Sequence, residues 1–362
     1  VKRPIAGILH IIVYAGFVII NIEVIEIIID GLFGTHRVLS FMGSFYDVLI
    51  ASFEILAVLV LLAVFIFWIR RNIIKLSRFA SSDLTGKPKN DANYILYFEV
   101  VLMSLFLLMN AADFHLQNLG IGHYDKVGSF PISQFIAPLF NGKSEGFVVA
   151  IERAAWWLHI VGILIFLNYL YFSKHLHILL AFPNTFYADL NAKGKLDNLE
   201  SVTNEVKLMM DPSADPFAAP ADATAVPAKF GASDVQDLNW VQLLNAYSCT
   251  ECGRCTSSCP ANQTGKKLSP RKIMMDTRDR LEEVGKNIDL NKGVFVDDGK
   301  SLLNDYISTE ELWACTSCNA CVEECPVSIS PLDIILELRR SLIMEDSNAP
   351  AEWNGMFSNI EN

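Results

Sequence analysis

Four long apolar runs fill the first half of the chain, and short polar or charged stretches separate them. An α-helix needs about 20 apolar residues to cross the hydrocarbon core of a bilayer. The pattern therefore predicts four membrane-spanning helices: Pro4 to Ile29, about Val48 to Ile69, about Tyr94 to Ala112 and about Ala154 to Phe172. A shorter apolar run, Phe130 to Phe140, is predicted to lie in the outer interface or to pack on the bundle.

Most basic residues near these helices fall on one side of the predicted bundle. They are Lys2, Arg3, Arg70, Arg71, Lys75, Arg78, Lys87, Lys89 and Lys174. The positive-inside rule places such a side in the cytoplasm. We therefore expect a multi-pass protein in the lipid of a bacterial inner membrane, with everything after the fourth helix in the cytoplasm.

The polarity changes along the second half and suggests further divisions. We predict a transmembrane domain over residues 1–183, a surface segment and Ala/Pro-rich linker over 184–233, a cysteine domain over 234–346, and a C-terminal tail over 347–362. The predicted fold class is all-α throughout. The chain is 52% hydrophobic and 19% charged, which is too apolar for an ordinary soluble protein.

Helices are also predicted inside the cysteine domain. A short one, Asp234 to Ala246, leads into the first cysteine block. Two Ser-Pro steps then mark helix starts, because Ser caps a helix well and Pro suits its first position. The helices they open are predicted to run from Ser269 to about Val284 and from Ser330 to about Met344.

All eight cysteines fall in two blocks that each read C-x-x-C-x-x-C-x-x-x-C-P. Three thiolates at that spacing can hold one cubane, and the fourth normally ligates the other cluster. We therefore predict two [4Fe–4S] clusters with exchanged fourth ligands. One is assigned to Cys249, Cys252, Cys255 and Cys325, and the other to Cys315, Cys318, Cys321 and Cys259.

Two other uses of eight cysteines compete with this interpretation. A disulfide framework belongs to small secreted domains, which this chain does not resemble. Structural zinc takes four ligands per site and leaves the third cysteine of each block and both Cys-Pro steps unexplained. A net charge of −11 without a basic stripe also argues against nucleic acid as a partner.

Histidines near the membrane suggest a haem. A b-type haem with two histidine ligands needs imidazoles from different helices at one depth. His10 lies about two turns into the first predicted span, and His177 lies just past the inner end of the fourth. His175 is the weaker choice, being nearer the membrane and on another helix face.

A resemblance adds to this interpretation. The segment from Leu158 to Ile178 resembles the last membrane helix of respiratory nitrate reductase gamma subunits. That family ligates two haems from this helix with histidines 18 residues apart, the spacing of His159 and His177 (177 − 159 = 18). The family's other two ligands lie ten residues apart on one earlier helix, where this chain has His10 and then Ile20.

The resemblance therefore implies one b-type haem on His10 and His177. A second haem on His159 would need a new partner, either His36 or His115. Without such a partner, His159 is a quinone-site or structural histidine.

Acidic residues inside the spans suggest proton or quinone chemistry. Glu23, Glu26 and Glu54 lie in the outer half of the first two helices. Carboxylates in hydrocarbon are costly and usually face a bundle interior or a wet cavity. They form a possible proton or quinone site, and the alternative is interfacial snorkelling or simple hydrogen bonding between helices.

The cysteine domain resembles the α-helical ferredoxin domain of succinate dehydrogenase iron–sulfur subunits and heterodisulfide reductase subunits. As a whole, the chain resembles membrane-bound heterodisulfide-reductase-related iron–sulfur oxidoreductases, which fuse a nitrate-reductase-gamma-like haem domain to a dicluster domain. Such relatives usually have a fifth membrane helix, and cysteine-rich CCG domains downstream or on a partner subunit.

The resemblance implies electron transfer between a cytoplasmic donor, such as electron-transfer flavoprotein, and menaquinone. The expected chain is a quinone-linked oxidoreductase or an electron-transfer subunit of one, with a CCG-domain iron–sulfur subunit as a partner. The alternatives are a non-catalytic anchor and relay in a larger complex, and a cluster-based redox sensor.

Overall fold

A computed structural model of the chain describes residues 3–213 and 229–361. They divide into two units, Val1–Ser173 and Lys174–Asn362. The first unit holds the four apolar helices and the second holds both cysteine blocks. Most of the predicted linker, residues 214–228, lies outside the described residues.

Four helices of the first unit are long and apolar enough to cross a membrane. They are α1 (Pro4–Phe33), α2 (Ser44–Asn72), α3 (Lys87–Leu119) and α5 (Glu145–Leu170), with the single turn α4 (Ser133–Ile136) before the last. The prediction of four transmembrane helices in an all-α fold is confirmed.

The α5 helix begins nine residues before the predicted start (154 − 145 = 9). In the extra turns, buried Glu152 pairs with Arg153 and accepts a hydrogen bond from Tyr124 (3.0 Å), which ties this part of α5 to the loop after α3. His159 consequently lies in the middle of α5, whereas the predicted span from about Ala154 placed it close to the start of the helix.

The bundle core follows a regular stripe along α2. Ile50, Phe53, Ala57, Val60 and Val64 are buried at alternating spacings of three and four residues, as expected for a helix with one packed face. On the lipid side, many large apolar residues of α1 and α5 remain exposed, as a membrane-embedded bundle requires.

The apolar run before α5 divides between the two predicted placements. Phe130 and Phe140 are buried against the bundle, whereas Phe135 and Leu139 are mostly exposed. The loop therefore packs on the bundle with one side and leaves the other side free for the interface.

The second unit is a set of shorter helices. They are α6 (His177–Phe186), α7 (Glu200–Met210), α8 (Trp240–Ser248), α9 (Arg254–Ser258), α10 (Pro260–Gln263), α11 (Pro270–Leu290), α12 (Thr309–Trp313), α13 (Ala320–Glu324), α14 (Pro331–Met344) and α15 (Ala351–Glu361). Its core lies where α11 packs on α14 and includes Ile273, Met274, Ile334 and Leu338.

The predicted helix from Asp234 to Ala246 is wrong at its start. A 3₁₀ turn, Val235–Asp237, comes first, and α8 begins only at Trp240. Asn239 starts the new helix, because its side chain accepts the backbone N–H of Gln242 (2.9 Å) and the Gln242 side chain accepts the N–H of Asn239 (3.0 Å).

Both Ser-Pro steps begin helices as predicted. Ser269 caps α11 through the N–H of Lys272 (3.3 Å), and Ser330 caps α14 through the N–H of Asp333 (3.4 Å). The α11 helix runs six residues past its predicted end (290 − 284 = 6), because Ile288 also packs on the core.

Candidate iron–sulfur and haem sites

The two cysteine blocks fold into matching loops. In each, the second and fourth residues after the first cysteine have left-handed backbone: Glu251 (φ 57) and Gly253 (φ 70), then Ser317 (φ 54) and Asn319 (φ 59). A short helix follows each loop, and these helices, α9 and α13, pack on each other. The loops form an internal pseudo-repeat.

This backbone turns N–H groups toward sulfur. The N–H of Glu251 donates to Cys249, and the equivalent N–H of Ser317 donates to the Sγ of Cys315 (3.4 Å). Hydrogen bonds to cluster sulfurs stabilise the reduced, more negative state and tune its potential. The loops therefore suit thiolates that carry extra negative charge.

Four cysteines line one small cavity in the second unit. They are Cys259 from the first block and Cys315, Cys318 and Cys321 from the second. Leu268, Leu332 and Ile335 also line this cavity and make its walls partly apolar. This grouping is the set of ligands that the spacing predicts for the second cluster.

The remaining four cysteines also lie near one another. Burial raises the pKa of the Cys255 thiol well above its usual value, and the neighbouring thiols of Cys249, Cys252, Cys321 and Cys325 raise it further. Of these neighbours, Cys321 is assigned to the other cluster. The N–H groups of Val327 and Ile329 donate to Cys325. These residues fit the predicted ligand set of the first cluster.

Protonation of the thiols opposes metal binding at these sites. Burial raises the pKa of Cys249 and of Cys321 to about 12 each. At neutral pH such thiols keep their protons, so iron must displace protons to bind thiolates there. Within residues 3–213 and 229–361, no three His, Cys, Asp or Glu side chains converge on a single-ion site.

Arg339 holds the second loop in place. Its guanidinium donates to the carbonyls of Leu312 and Cys315 and lies over the Trp313 ring, 5.0 Å from the centroid. Because Arg recognises planar acceptors with a rigid fork of donors, it fixes the chain at the first cysteine of the block.

A buried ion-pair group lies beside the first loop. The Glu251 carboxylate, 4% exposed, pairs with Lys174 and with Arg278 (2.8 Å). Burial lowers the pKa of Arg278, but Glu251, Asp279 and Cys249 together raise it by more, so the net shift of the Arg278 pKa is upward and the guanidinium stays charged. Lys174 immediately precedes the segment that carries His175 and His177.

The α6 helix, which begins at His177, is fastened to the cysteine region at two more points. Ser248, just before Cys249, donates to the Leu180 carbonyl (3.3 Å). The Asn184 side chain donates to the Val327 carbonyl (2.7 Å), two residues after Cys325. Helix α6 is therefore bound to the loops that carry the predicted ligands of the first cluster.

The predicted haem histidines lie on separate elements. The α5 helix ends at Leu170, so His159 and His177 are not on one continuous helix as the resemblance implied. The break follows a tight turn in which Ser173 donates its N–H to the Leu170 carbonyl (3.2 Å). His10 is exposed on α1.

Two of the histidines have one ring nitrogen already occupied. The Nδ1 of His159 donates to the Leu102 carbonyl, and the Nδ1 of His177 donates to the Lys174 carbonyl, both at 3.0 Å. Metal-binding histidines almost always anchor their second nitrogen in this way. Iron ligated by either residue would therefore bind at Nε2.

The structure does not bring His159 together with His36 or His115. His36 lies 3.4 Å from the Asp113 carboxylate, eleven residues along α3 from the Leu102 contact of His159, or about 16 Å. His115 lies still further along α3 and packs on Phe140.

The predicted acidic residues belong to a larger buried network. Arg37, 6% exposed, binds Asp113 (2.7 Å), Asn110 (2.8 Å) and Glu23 (3.4 Å). Glu26 accepts a hydrogen bond from Tyr46 (3.0 Å).

Glu54 belongs to the same network through its contact with Asn110. It accepts the backbone N–H groups of Ile132 (2.8 Å) and Ser133 (3.1 Å), which ties the loop before α5 to the bundle. Asn110 also donates to Glu54 (3.4 Å). Glu54 therefore serves as an interhelical hydrogen-bond acceptor, the alternative role predicted for these carboxylates.

Sequence reasoning missed several residues of these sites. Arg37, Asp113 and His123 cluster with the predicted acids, and Lys174 and Arg278 flank the first cysteine loop. One signal was present: Arg37 and Asp113 are opposite charges at the same predicted membrane face. These two residues are 76 positions apart, so no short stretch of sequence indicates that they pair.

These observations define a class, a membrane-associated iron–sulfur protein of the electron-transfer oxidoreductases. The family model described as "4Fe-4S dicluster domain" matches residues 248–329, which include all eight cysteines. The resemblance to heterodisulfide-reductase-related iron–sulfur oxidoreductases is confirmed.

Individual relatives are similar over nearly the whole chain. The "Probable iron-sulfur-binding oxidoreductase FadF" of Bacillus subtilis is 30% identical over 384 aligned positions, covering 98% of this chain and 50% of that protein. The "EtfAB:quinone oxidoreductase" of Syntrophomonas wolfei is 26% identical, covering 100% of this chain and 49% of that protein. The chain thus spans about half the length of these relatives.

A third relative is similar over a shorter region. It is one subunit of the ferredoxin/F(420)H(2)-dependent CoB-CoM heterodisulfide reductase of Methanosarcina acetivorans, 37% identical over 108 residues, or 30% of this chain and 52% of that protein. No solved structure is significantly similar to the chain.

Proposed function

We propose that the chain carries electrons between a cytoplasmic donor and the menaquinone pool of a bacterial inner membrane. When bound, two [4Fe–4S] clusters and a b-type haem supply one-electron transfer. One observation supports this proposal: a single chain contains both four helices able to cross a membrane and a cavity lined by four cysteines.

The protein's own residues hold these groups in distinct ways. The predicted cysteine sets bind the clusters, and the left-handed loops direct N–H groups at their sulfurs. His10 and His177 are the proposed haem ligands, with the Nδ1 of His177 fixed by the Lys174 carbonyl. We propose one haem only. His159 contacts α3 at Leu102, and His36 contacts α3 at Asp113, about 16 Å further along that helix.

The partners follow from the relatives' names and from the basic face of the bundle. One relative is named an EtfAB:quinone oxidoreductase, which supports electron-transfer flavoprotein as the soluble donor. The basic residues around the ends of α2 and α3 support a cytoplasmic location for the cysteine unit. A CCG-domain iron–sulfur subunit is the further proposed partner.

An anaerobic titration tests the proposal. Purified protein is mixed with a reduced menaquinone analogue while haem absorbance and cluster EPR signals are followed. We expect both to change. If dithionite reduces both centres but the quinol reduces neither, the chain does not exchange electrons with quinone.

Histidine variants test the haem step separately. His177→Gln and His10→Gln should each abolish the haem absorbance band, because each removes one residue that would hold the haem. His175→Gln is the matched control, only two residues from His177, and should keep the band. Unchanged cluster EPR signals in all three variants show that the cysteine unit is folded. A full haem band in His177→Gln contradicts the ligand assignment.

A second candidate function is a relay that leaves quinone chemistry to a partner. It is favoured by the similarity to a relative named as one subunit of a heterodisulfide reductase. The same titration separates the two, since a relay accepts electrons from dithionite and not from quinol.

A further inference from the structure

A cavity of about 330 Å³ lies in the first unit, at the end of the bundle where α1 and α3 end and α5 begins. Its volume falls within the roughly 300–1,000 Å³ range of small-molecule pockets. Its lining includes Glu23, His36, Arg37, Asp113, Trp156 and Trp157. Glu23 lies ten residues before the end of α1, so the cavity reaches about 15 Å into the bundle.

The turn carrying His36 and Arg37 is built to face this cavity. Arg37 has left-handed backbone (φ 56), and the Asp30 carboxylate accepts its N–H (2.7 Å) and that of Val38 (3.1 Å). A buried guanidinium needs partners, and the Asp113 carboxylate supplies one at 2.7 Å. The turn thereby holds strong hydrogen-bond donors at the cavity wall.

An acceptor without a partner faces the same space. Glu23 is 2% exposed, and its Oε2 has no hydrogen-bond partner among the described residues. Its other oxygen is 3.4 Å from Arg37. Buried polar atoms in native proteins are almost always hydrogen-bonded, so we expect this oxygen to accept a hydrogen bond from a bound ligand.

The remaining wall is aromatic and reaches the lipid side. Trp156 packs so closely on α1 that a Cβ on Gly31 would lie 2.8 Å from its ring. Trp157 is 59% exposed, and Ile27 and Met109 complete the apolar lining. A flat ring with polar oxygens fits a cavity that combines aromatic walls with donors and acceptors.

We propose that this cavity binds the headgroup of the quinone, an inference that rests on the proposed function and names its site. Arg37 and His36 donate hydrogen bonds to a quinone oxygen. Glu23 accepts a hydrogen bond from the hydroxyl of the reduced form. Asp113 positions His36 and Arg37 and does not contact the ring.

Binding without electron transfer tests the site. A short-chain naphthoquinol is titrated anaerobically into the pre-reduced protein in nanodiscs, so that no electron is transferred, and quenching of tryptophan fluorescence reports Kd. We expect Glu23→Gln and His36→Gln each to raise Kd about tenfold, the loss of one hydrogen bond to a charged group. Gly31→Ala should also weaken binding, because the added Cβ would force the Trp156 ring, which lines the cavity, out of its position.

Glu99→Gln is the matched control, since it changes another carboxylate on α3 outside the cavity lining. Its Kd should equal that of the unchanged protein. If Glu23→Gln, His36→Gln and Gly31→Ala all leave Kd unchanged, the cavity is not the quinone site.

The binding experiment and the electron-transfer titration can fail independently. Unchanged Kd values with intact quinol-driven reduction place the quinone elsewhere and overturn only this inference. Weakened binding in the variants supports the site even when quinol reduces neither centre, an outcome that overturns the proposed electron transfer instead.

Discussion

Single residues at the cysteine loops show what spacing can and cannot predict. The exchange of fourth ligands between the two cysteine blocks is a prediction from spacing alone, because a cubane limits which thiolates can share it. Gly253 and Asn319 are residue types expected in left-handed backbone, whereas Glu251 and Ser317 are not. Their conformation is imposed by the sulfur each N–H must reach, which no local propensity encodes.

The exchange of ligands is testable at this scale. Cys325→Ser and Cys255→Ser should weaken or abolish the same EPR signal, although they belong to different blocks. Cys259→Ser should instead affect the signal lost in Cys318→Ser. The expected pairing follows from Cys259 lining the cavity of the second block. EPR of the reduced variants checks it, and loss according to sequence block would contradict the exchange.

At the scale of elements, the sequence predicted helices well where one face is apolar and poorly at their ends. The four membrane spans and the two Ser-Pro starts were predicted correctly. The start of α8 and the break between α5 and α6 were missed, because side-chain caps and a tight turn decide them. Such caps depend on only two or three atoms and leave little trace in hydrophobic periodicity.

The ion-pair group beside the first loop gives an element-scale prediction. Glu251→Gln leaves Lys174 and Arg278 without their buried partner, and breaking such a pair costs about 3–5 kcal/mol. We expect the midpoint for thermal loss of cluster absorbance to fall by on the order of 10 °C.

Glu310→Gln is the control for this change. Glu310, 62% exposed, pairs with Lys267 on the surface, where solvent screens a single ion pair and leaves it little effect on stability. Its midpoint should therefore fall by no more than about 4 °C. Equal shifts in both variants would argue that Glu251 has no special structural role.

At the scale of the whole molecule, composition predicted two kinds of environment and the structure divides accordingly. The apolar half forms one unit and the polar, cysteine-bearing half another. The Arg37 network could not be predicted, since it joins Arg37, in the turn between α1 and α2, to partners on α1 and α3. Such distant pairings depend on the assembled bundle rather than on any one segment.

Iron removal should affect the two units differently. The core of the second unit contains Cys249 and Cys259, so clusters bound to these residues would cross-link the core. Chelation of iron from the purified protein should therefore make residues 229–361 sensitive to protease while the four membrane helices stay protected. Limited proteolysis with mass spectrometry checks this, and equal resistance before and after chelation would show that the unit folds without metal.

The length of α1 has one further consequence. His10 lies near its beginning and Glu23 lies thirteen residues later, about 20 Å along the helix. With haem at His10 and quinone at Glu23, each electron would cross much of the hydrocarbon core of the membrane. Moving a full charge across 100 mV is worth about 2.3 kcal/mol. The membrane potential would then favour electron flow in one direction and oppose it in the other. Because respiration generates this potential, respiration would also shift the equilibrium of the electron transfer.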